Sequence, residues 1–228
     1  MRTEYHCHIL PGLDDGAENT ETALKMVEMM YEQGVRRIVA TPHFYCHREE
    51  SLGRFLENRS AAFGALMACG PKITDIRMGA EIAIEHGISE VPGLDRLAIE
   101  GTDLILFEFP YRGFEKWMED ELDNVRAKYP LELVIAHVHR YLDYYSKSQT
   151  ENLIGLNAIL QINNEAFEVR KERKLVTRLI EEGYPLIFGS DAHNTDQRKP
   201  NWDLIQRRVD GRLLEASDNV LDCHLLYR

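Results

Sequence analysis

Short apolar runs alternate with longer stretches whose apolar residues recur at helical spacing, and the rhythm holds along nearly the whole chain. The first helix is expected after Asn19-Thr20, with Ala23, Leu24, Val27, Met30 and Tyr31 on one face and Gly34 as its stop. Further helices are predicted from about Glu49 to Cys69, Glu115 to Lys128 and Glu168 to Glu182. Buried strands are predicted at Arg37 to Thr41, Ile73 to Ile82, Asp103 to Phe109, Leu131 to Ala136, Ile159 to Ile162 and Leu186 to Gly189. Near the start, His6 and His8 alternate like strand residues before a Pro11-Gly12 turn and the run Asp14-Asp15-Gly16. Parallel strands need crossover helices, so the alternation implies a parallel α/β sheet. Seven strands with no Pro/Gly/Ser-rich linker predict one closed or nearly closed barrel, a single domain over residues 1–228. The alternative is an open doubly wound sheet, but no G-x-G-x-x-G follows its first strand.

Polar residues of one chemical kind collect at the ends of these runs. His6 and His8, His43, Glu81, Glu108, His137, Asp191 and His193 sit at or just beyond the C-terminal ends of apolar segments, as in IVATPH, IRMGAE, LILFE, LVIAH and LIFGSDAH. In a (β/α) barrel those ends share the face that carries the active site. A lone histidine after a strand is ordinarily a cap, but a glutamate inside LILFEF is costly among apolar groups unless it is paired. Strand side chains at i and i+2 point the same way, so His6 and His8 can grip one ion as neutral imidazoles; Asp191 and His193 repeat the device. Mixed histidine and carboxylate donors suit Zn, Mn or Fe, and the absence of thiolates argues against a structural zinc knuckle. So many donors exceed the needs of one ion with an open position. They suit a carboxylate-bridged cluster of the kind that hydrolyses phosphate esters.

Composition removes several other classes. Of 228 residues, 44% are hydrophobic and 29% charged, as in ordinary globular proteins. Net charge is -11 and no Lys/Arg-rich block stands out, which argues against binding nucleic acid through its phosphates. Runs such as Leu104 to Phe107 are far too short to span a membrane, and no signal-peptide apolar region opens the chain. Cys7, Cys46, Cys69 and Cys223 are widely spaced with no C-x-x-C pair, so a reducing cytoplasm is the expected location.

The order H-x-H, D-D-G, T-P-H, G-A-E, F-E-F, A-H-x-x-R-Y and S-D-A-H-N resembles the polymerase and histidinol phosphatase (PHP) superfamily. Within it, HCHILPGLDDG, VATPHF, AHVHRY and GSDAHN resemble the capsule-type bacterial protein-tyrosine phosphatases, manganese-dependent partners of bacterial tyrosine kinases. The likeness runs from Tyr5 to about Pro200. It implies a distorted (β/α)7 TIM-like barrel and three divalent ions, Mn preferred, with Fe or Zn as alternatives. His6, His8, Glu81 and Asp191 would hold the first, and Glu81 would bridge to a second held by Glu108 and His137. Asp15, His43 and His193 would hold the third, Asp15 being preferred over Asp14 because it stands beside the glycine.

Divalent ions at these sites would outweigh the carboxylates Asp15, Glu81, Glu108 and Asp191, bind a phosphate dianion and hold a hydroxide for in-line attack on phosphorus. A tyrosyl leaving group, with a pKa of about 10, needs little help from an acid. Arg140, three residues after His137, and Arg198, just past S-D-A-H-N, suit bidentate phosphate contact. Cysteine-nucleophile chemistry needs Cys-x5-Arg, and no cysteine here has an arginine six positions on. His139 departs from the family pattern, either as a proton donor or as a solvated side chain. Phe44, Tyr45, Phe109 and Tyr111 are near enough to pack on a substrate ring or to be core. Cys7 faces away from His6 and His8, and His47, His86 and His224 have no partner that spacing identifies.

The leading functional expectation is hydrolysis of protein phosphotyrosine, on a bacterial tyrosine kinase of capsule or exopolysaccharide synthesis. The alternatives are a small-molecule phosphoesterase, such as one for histidinol phosphate, and a non-catalytic PHP module. The chain after about Pro200 resembles the family poorly and is a candidate for homo-oligomer contacts.

Overall fold

The apolar runs become nine strands, all paired in parallel, in a computed structural model that describes residues 1–226. They are β1 (Arg2–Cys7), β2 (Val35–Ala40), β3 (His43–Phe44), β4 (Asp75–Met78), β5 (Glu81–Ala83), β6 (Leu104–Glu108), β7 (Glu132–Ile135), β8 (Ile159–Asn163) and β9 (Leu186–Gly189). One ladder runs β1-β2-β4 and another β3-β5-β6-β7-β8-β9. Pro42 has no N–H for a ladder and interrupts the second strand, while Gly79-Ala80 interrupts its neighbour, dividing the single strand predicted from Ile73 to Ile82. Pairing carries across both gaps, with the Gly79 N–H donating to the Ala40 carbonyl (2.8 Å) and the Glu81 N–H to that of Pro42 (3.0 Å). β2 with β3 and β4 with β5 therefore count as two staves, and the sheet has seven. It closes between β9 and β1, where the Asp191 N–H donates to the His6 carbonyl (2.7 Å) and the His8 N–H to that of Ala192 (2.9 Å). This is the nearly closed seven-stranded barrel that the alternation implied, in the distorted (β/α)7 form that the resemblance implied.

Helices α1 (Thr20–Glu32), α2 (Leu52–Ala68), α3 (Lys116–Lys128), α4 (Lys147–Ile154) and α5 (Arg170–Glu181) flank the sheet. Their starts follow from local chemistry: the side chains of Asn19 and Ser51 accept the N–H groups of Thr22 and Arg54, and Ser146 with Gln149 forms a capping box. Helix α4 was not anticipated, because only Thr150, Leu153 and Ile154 of its eight residues are buried and its period is faint. Apolar faces such as Met26, Val27, Met30 of α1 and Met118, Leu122, Val125 of α3 pack into the layer outside the strands. A smaller cluster of Tyr5, Val39, Leu104, Leu106, Val134 and Ile187 fills the barrel itself.

The region after Pro200 closes the end of the barrel where the strands begin. It forms α6 (Trp202–Gln206) and α7 (Gly211–Cys223). Leu221 of α7 joins the inner cluster, and the Tyr5 hydroxyl donates to the Ser217 carbonyl (2.8 Å) and accepts from the Leu221 N–H (2.9 Å). Trp202, Ile205, Leu214 and Leu221 are all buried within the chain. Leu221 thus plugs the barrel, while Trp202, Ile205 and Leu214 pack into the layer outside the strands, and the opposite mouth is left open.

Candidate metal centre

All nine side chains expected as ligands converge at that open mouth. His6 belongs to β1 and His8 lies one residue past its end. The chain then loops out and back, fastened where the Gly12 N–H donates to the Ala17 carbonyl (2.8 Å) and the Ala17 N–H to that of His8 (2.9 Å). Gly16 packs so tightly under His8 that a Cβ there would lie 2.2 Å from the His8 carbonyl oxygen. His43 opens β3 opposite Glu81 at the start of β5, and Glu108 ends β6. His137 and Asp191 follow β7 and β9 with φ of 31° and 50°, a left-handed conformation that side chains seldom adopt away from functional sites.

Three adjoining sets of donors form, two of them sharing Glu81. In the first, His6 Nε2 is 3.2 Å from Glu81 Oε2, 3.5 Å from Asp191 Oδ1 and 3.3 Å from His8 Nε2, which is 3.3 Å from both oxygens. A regular tetrahedron of such an edge has its centre about 2.0 Å from each corner, the bond length of zinc-like ions to nitrogen and oxygen. In the second, His137 Nε2 lies 2.8 Å from Glu81 Oε1 and 3.4 Å from Glu108 Oε1, and donor atoms of His43, Glu81 and Glu108 lie within 4.8 Å of one another. In the third, Asp15 Oδ1 is 3.4 Å from both His43 Nε2 and His193 Nε2, with His8 alongside. His43 faces two sets, Nδ1 towards Glu81 (3.1 Å) and Nε2 towards Asp15.

Neighbouring acceptors set which nitrogen each ring presents. His6 Nδ1–H is held by Gln161 Oε1 (3.1 Å), His8 Nδ1–H by Asp14 Oδ2 (2.7 Å) and His193 Nδ1–H by the Asp191 carbonyl (3.0 Å). In each case the Nε2 lone pair is turned inward, the arrangement by which outer partners orient metal-bound histidines. Asp14 also accepts the His43 N–H (2.9 Å) and its side chain is 6% exposed, whereas that of Asp15 is 65% exposed and reaches in from the rim. The paired aspartates thus do different work.

Charge within the cluster is out of balance with its burial. Desolvation alone would raise the pKa of Glu81, yet the His6 charge and bonds to His137, His6 and His8 hold it well below the usual range. Asp191 is lowered likewise, by His6, His8 and Arg140 against desolvation. Burial disfavours a charged His137, but bonds to Glu108 and Glu81 raise it to about 9. His193 is depressed to about 4 by burial and by the His8 charge, so it is neutral near physiological pH. The carboxylates draw positive charge inward, and a divalent ion meets the same demand.

Three buried atoms mark the fit. Asp191 Oδ1, His43 Nδ1 and His193 Nε2 have no hydrogen-bond partner, and each belongs to a different donor set. Leaving such atoms unpaired costs about 1–3 kcal/mol apiece. The opposite oxygen of Asp191 is saturated instead: Oδ2 accepts from Arg140 (2.5 Å), Arg198 (2.9 Å) and Asn163 (3.2 Å). Arg140 is also fixed by Glu165 (2.9 Å), so both arginines stand at the edge of the cluster with N–H groups to spare. The donor types, spacing and unsatisfied atoms together fit a set of divalent cations.

Several contributors carried no ligand-type signature. Gln161 of β8 accepts from His6 and from the His137 N–H (2.6 Å), and it donates to Asn163 (2.9 Å). Two amides at i and i+2 in the strand ILQIN were the available signal. Glu4 is buried among the His6 N–H (3.0 Å), Ser190 Oγ (2.6 Å) and Trp202 Nε1 (2.7 Å), and desolvation raises its pKa to about 7 against those bonds.

His139 is neither solvated nor aimed at the cluster. It is 1% exposed, neither ring nitrogen has a hydrogen-bond partner, and burial holds it neutral. Phe44 and Phe109 are core, whereas Tyr45 and Tyr111 line a cleft of about 290 Å³ beside Glu108, with Arg48 and Arg112 on its rim. Cys7 is buried, and all four cysteines are free. His86 stacks on Trp117 at 3.8 Å, His47 Nε2 donates to the His86 carbonyl, and His224 pairs with Asp103. Among the described residues, no helix is long and apolar enough to cross a membrane.

A family model described as capsular polysaccharide synthesis, CpsB/CapC, matches residues 3–222, so the likeness extends past Pro200, where little was expected. Tyrosine-protein phosphatase YwqE of Bacillus subtilis is 28% identical over 206 positions, 86% of this chain and 78% of that one. Tyrosine-protein phosphatase CpsB of Streptococcus agalactiae is 25% identical over 257 aligned positions, 98% of this chain and 99% of the relative. A crystal structure from work on YwqE of Bacillus subtilis and CpsB of Streptococcus pneumoniae, described as unique metal-dependent tyrosine phosphatases, superposes with a TM-score of 0.80 at 24% identity. It covers 99% of this chain and 96% of its own.

Proposed function

The chain belongs to the CpsB/CapC family of capsular polysaccharide synthesis, and from that premise we propose that it is a metal-dependent phosphatase acting on protein phosphotyrosine. One observation carries the reading: three donor sets adjoin, two of them sharing Glu81 and the third joined to them through His8 and His43, each with a buried atom that lacks a partner. His6, His8, Glu81 and Asp191 would hold one divalent ion, Glu81, Glu108 and His137 with His43 a second, and Asp15, His43 and His193 a third. Manganese is preferred over iron or zinc. When bound, such ions supply Lewis-acid neutralisation of the phosphate and an activated water as nucleophile.

The protein's own groups do the rest. Gln161, Asp14 and the Asp191 carbonyl hold three imidazoles in one tautomer. Arg140 and Arg198, braced on Asp191, offer planar guanidinium groups to the phosphate oxygens beside the cluster. Tyr111, stacked on His137 with centroids 6.0 Å apart, and Tyr45 wall the cleft where an aromatic leaving group fits. A phenolate of pKa about 10 departs without a strong general acid. The whole chain serves as one phosphatase domain in the cytoplasm, with the tyrosine kinase of a capsule or exopolysaccharide system as its substrate.

A substrate panel tests this. Protein reconstituted with Mn2+ is expected to hydrolyse a phosphotyrosine peptide far faster than histidinol phosphate or a phosphoserine peptide. Faster turnover of histidinol phosphate refutes the assignment, and full activity in metal-free protein refutes any metal-dependent one.

A further inference from the structure

A second concave site lies outside the metal centre. It is a groove of about 490 Å³ between α4, α5 and the 3-10 turn Val138–Asp143. Leu142, Tyr145 and Leu175 give it an apolar floor, and Lys147, Lys171, Lys174 and Arg178 stand along its walls. The charge is out of keeping with the rest of the molecule. Helix α5 carries Arg170, Lys171, Arg173, Lys174 and Arg178 against Glu172 and Glu181, a net of +3 in a chain of net -11. Lys171 is paired with Asp143 and Arg178 with Glu151 (2.7 Å), but Lys147 and Lys174 have no ion-pair partner among the described residues. Glutamates interrupt the basic residues in sequence, and folding lines the cations up beside Lys147 of α4.

The groove is joined to the metal centre. The 3-10 turn that supplies Leu142 to the groove also carries Arg140. Tyr144, 53% exposed, packs against Tyr111, 38% exposed, at 5.0 Å between centroids. The Tyr111 hydroxyl in turn lies 3.4 Å from His137 Nδ1. Two exposed rings, Tyr144 and Tyr111, therefore lie between His137 and the segment that supplies Leu142 and Tyr145 to the groove.

We propose that the groove is a docking site for an acidic, extended segment of the phosphoprotein substrate, a few residues from the phosphotyrosine. This rests on the phosphotyrosine reading above. Unpaired lysines over an apolar floor complement carboxylates spaced by apolar side chains. A concave groove whose apolar atoms lie beneath its cations suits a polypeptide rather than the flat surface of an anionic membrane.

The test compares two phosphotyrosine peptides of equal length, one flanked by aspartate and glutamate and the other by serine and glycine, with p-nitrophenyl phosphate as the reference substrate. With the Mn2+-reconstituted full chain at low salt, the acidic peptide is expected to show a KM about three- to tenfold lower, from a few exposed charge pairs. The preference should vanish near about 0.5 M salt. It should vanish too in the double variant K147E/K174E, whose turnover of p-nitrophenyl phosphate stays at the wild-type value. A wild-type enzyme without the preference, or a double variant that keeps it, overturns the proposal. So does lysine-dependent sedimentation with anionic vesicles while peptide kinetics are unchanged. If phosphotyrosine is not hydrolysed at all, the functional reading fails by itself. Fluorescence anisotropy with the unphosphorylated acidic peptide then decides the groove, with loss of binding in K147E/K174E expected and no binding to wild type refuting it.

Discussion

Replacing Gln161 with methionine keeps the side-chain volume but removes the acceptor that serves both His6 Nδ1–H and the His137 N–H. Both donors are buried, with His6 fully enclosed and His137 1% exposed, so water cannot take the place of the lost oxygen. At about 1–3 kcal/mol per stranded donor, the metal-free protein should lose about 2–6 kcal/mol of stability. For a chain of this size, each kcal/mol lowers the melting temperature by about 2–4 °C, so a fall of about 4–24 °C is expected in circular dichroism with chelator present. Metal affinity should fall about 10–100-fold, the usual cost of losing an outer partner of a ligating histidine. Isothermal titration with Mn2+ reads that change directly. Gln161→Glu keeps an acceptor oxygen at the same place and should recover most of the affinity. If Gln161→Met binds Mn2+ as tightly as wild type, Gln161 does not orient His6 for an ion.

Three other outcomes follow from the same geometry. Gly16→Ala puts a Cβ 2.2 Å from the His8 carbonyl oxygen and 2.4 Å from its Cβ; overpacking of this kind costs about 1–3 kcal/mol and should lower bound metal by elemental analysis. Arg140→Ala and Arg198→Ala should each lower kcat/KM for a phosphotyrosine peptide about 10²–10³-fold. Arg140→Lys should recover little, because a lysine cannot span Asp191 and Glu165 as the guanidinium does; wild-type kcat/KM in Arg140→Ala would contradict the role. Dialysis against chelator should abolish activity, and Mn2+ at a hundred times Kd should restore it while stabilising the fold by about 2.7 kcal/mol per site. A melting temperature that ignores Mn2+ would count against ion binding at the cluster.

Much of the barrel was legible because period and punctuation are local properties. Apolar runs of strand length, helical spacing between them and the missing linker were enough to imply seven staves, with ligand-type residues at their ends. Boundaries shifted by one to three residues. Elements were missed where local signal is weak: α4 buries only one short edge, α6 and α7 were not anticipated, and the broken strands depend on Pro42 and on what its neighbour does in response. No element was read after Pro200, and only the folded chain shows Leu221 entering the barrel and Trp202, Ile205 and Leu214 packing outside its strands.

At the site, the sequence by itself determined which chemical types were present and that they gather at one end of a parallel barrel. Only the tertiary structure decided their partnerships. Asp14 and Asp15 are neighbours in the chain, yet one tucks its side chain under His8 and the other projects from the rim, a difference set by how the loop folds back on Gly16. Gln161 is a neutral amide with no signature of metal chemistry, and it matters because β8 holds it between His6 and His137. Asp191 meets His6 because the barrel closes between β9 and β1, bringing together residues from opposite ends of the chain. Periodicity tells which way a side chain points along its own strand. Closure and register decide what it points at, and those are set by the packing of the whole sheet.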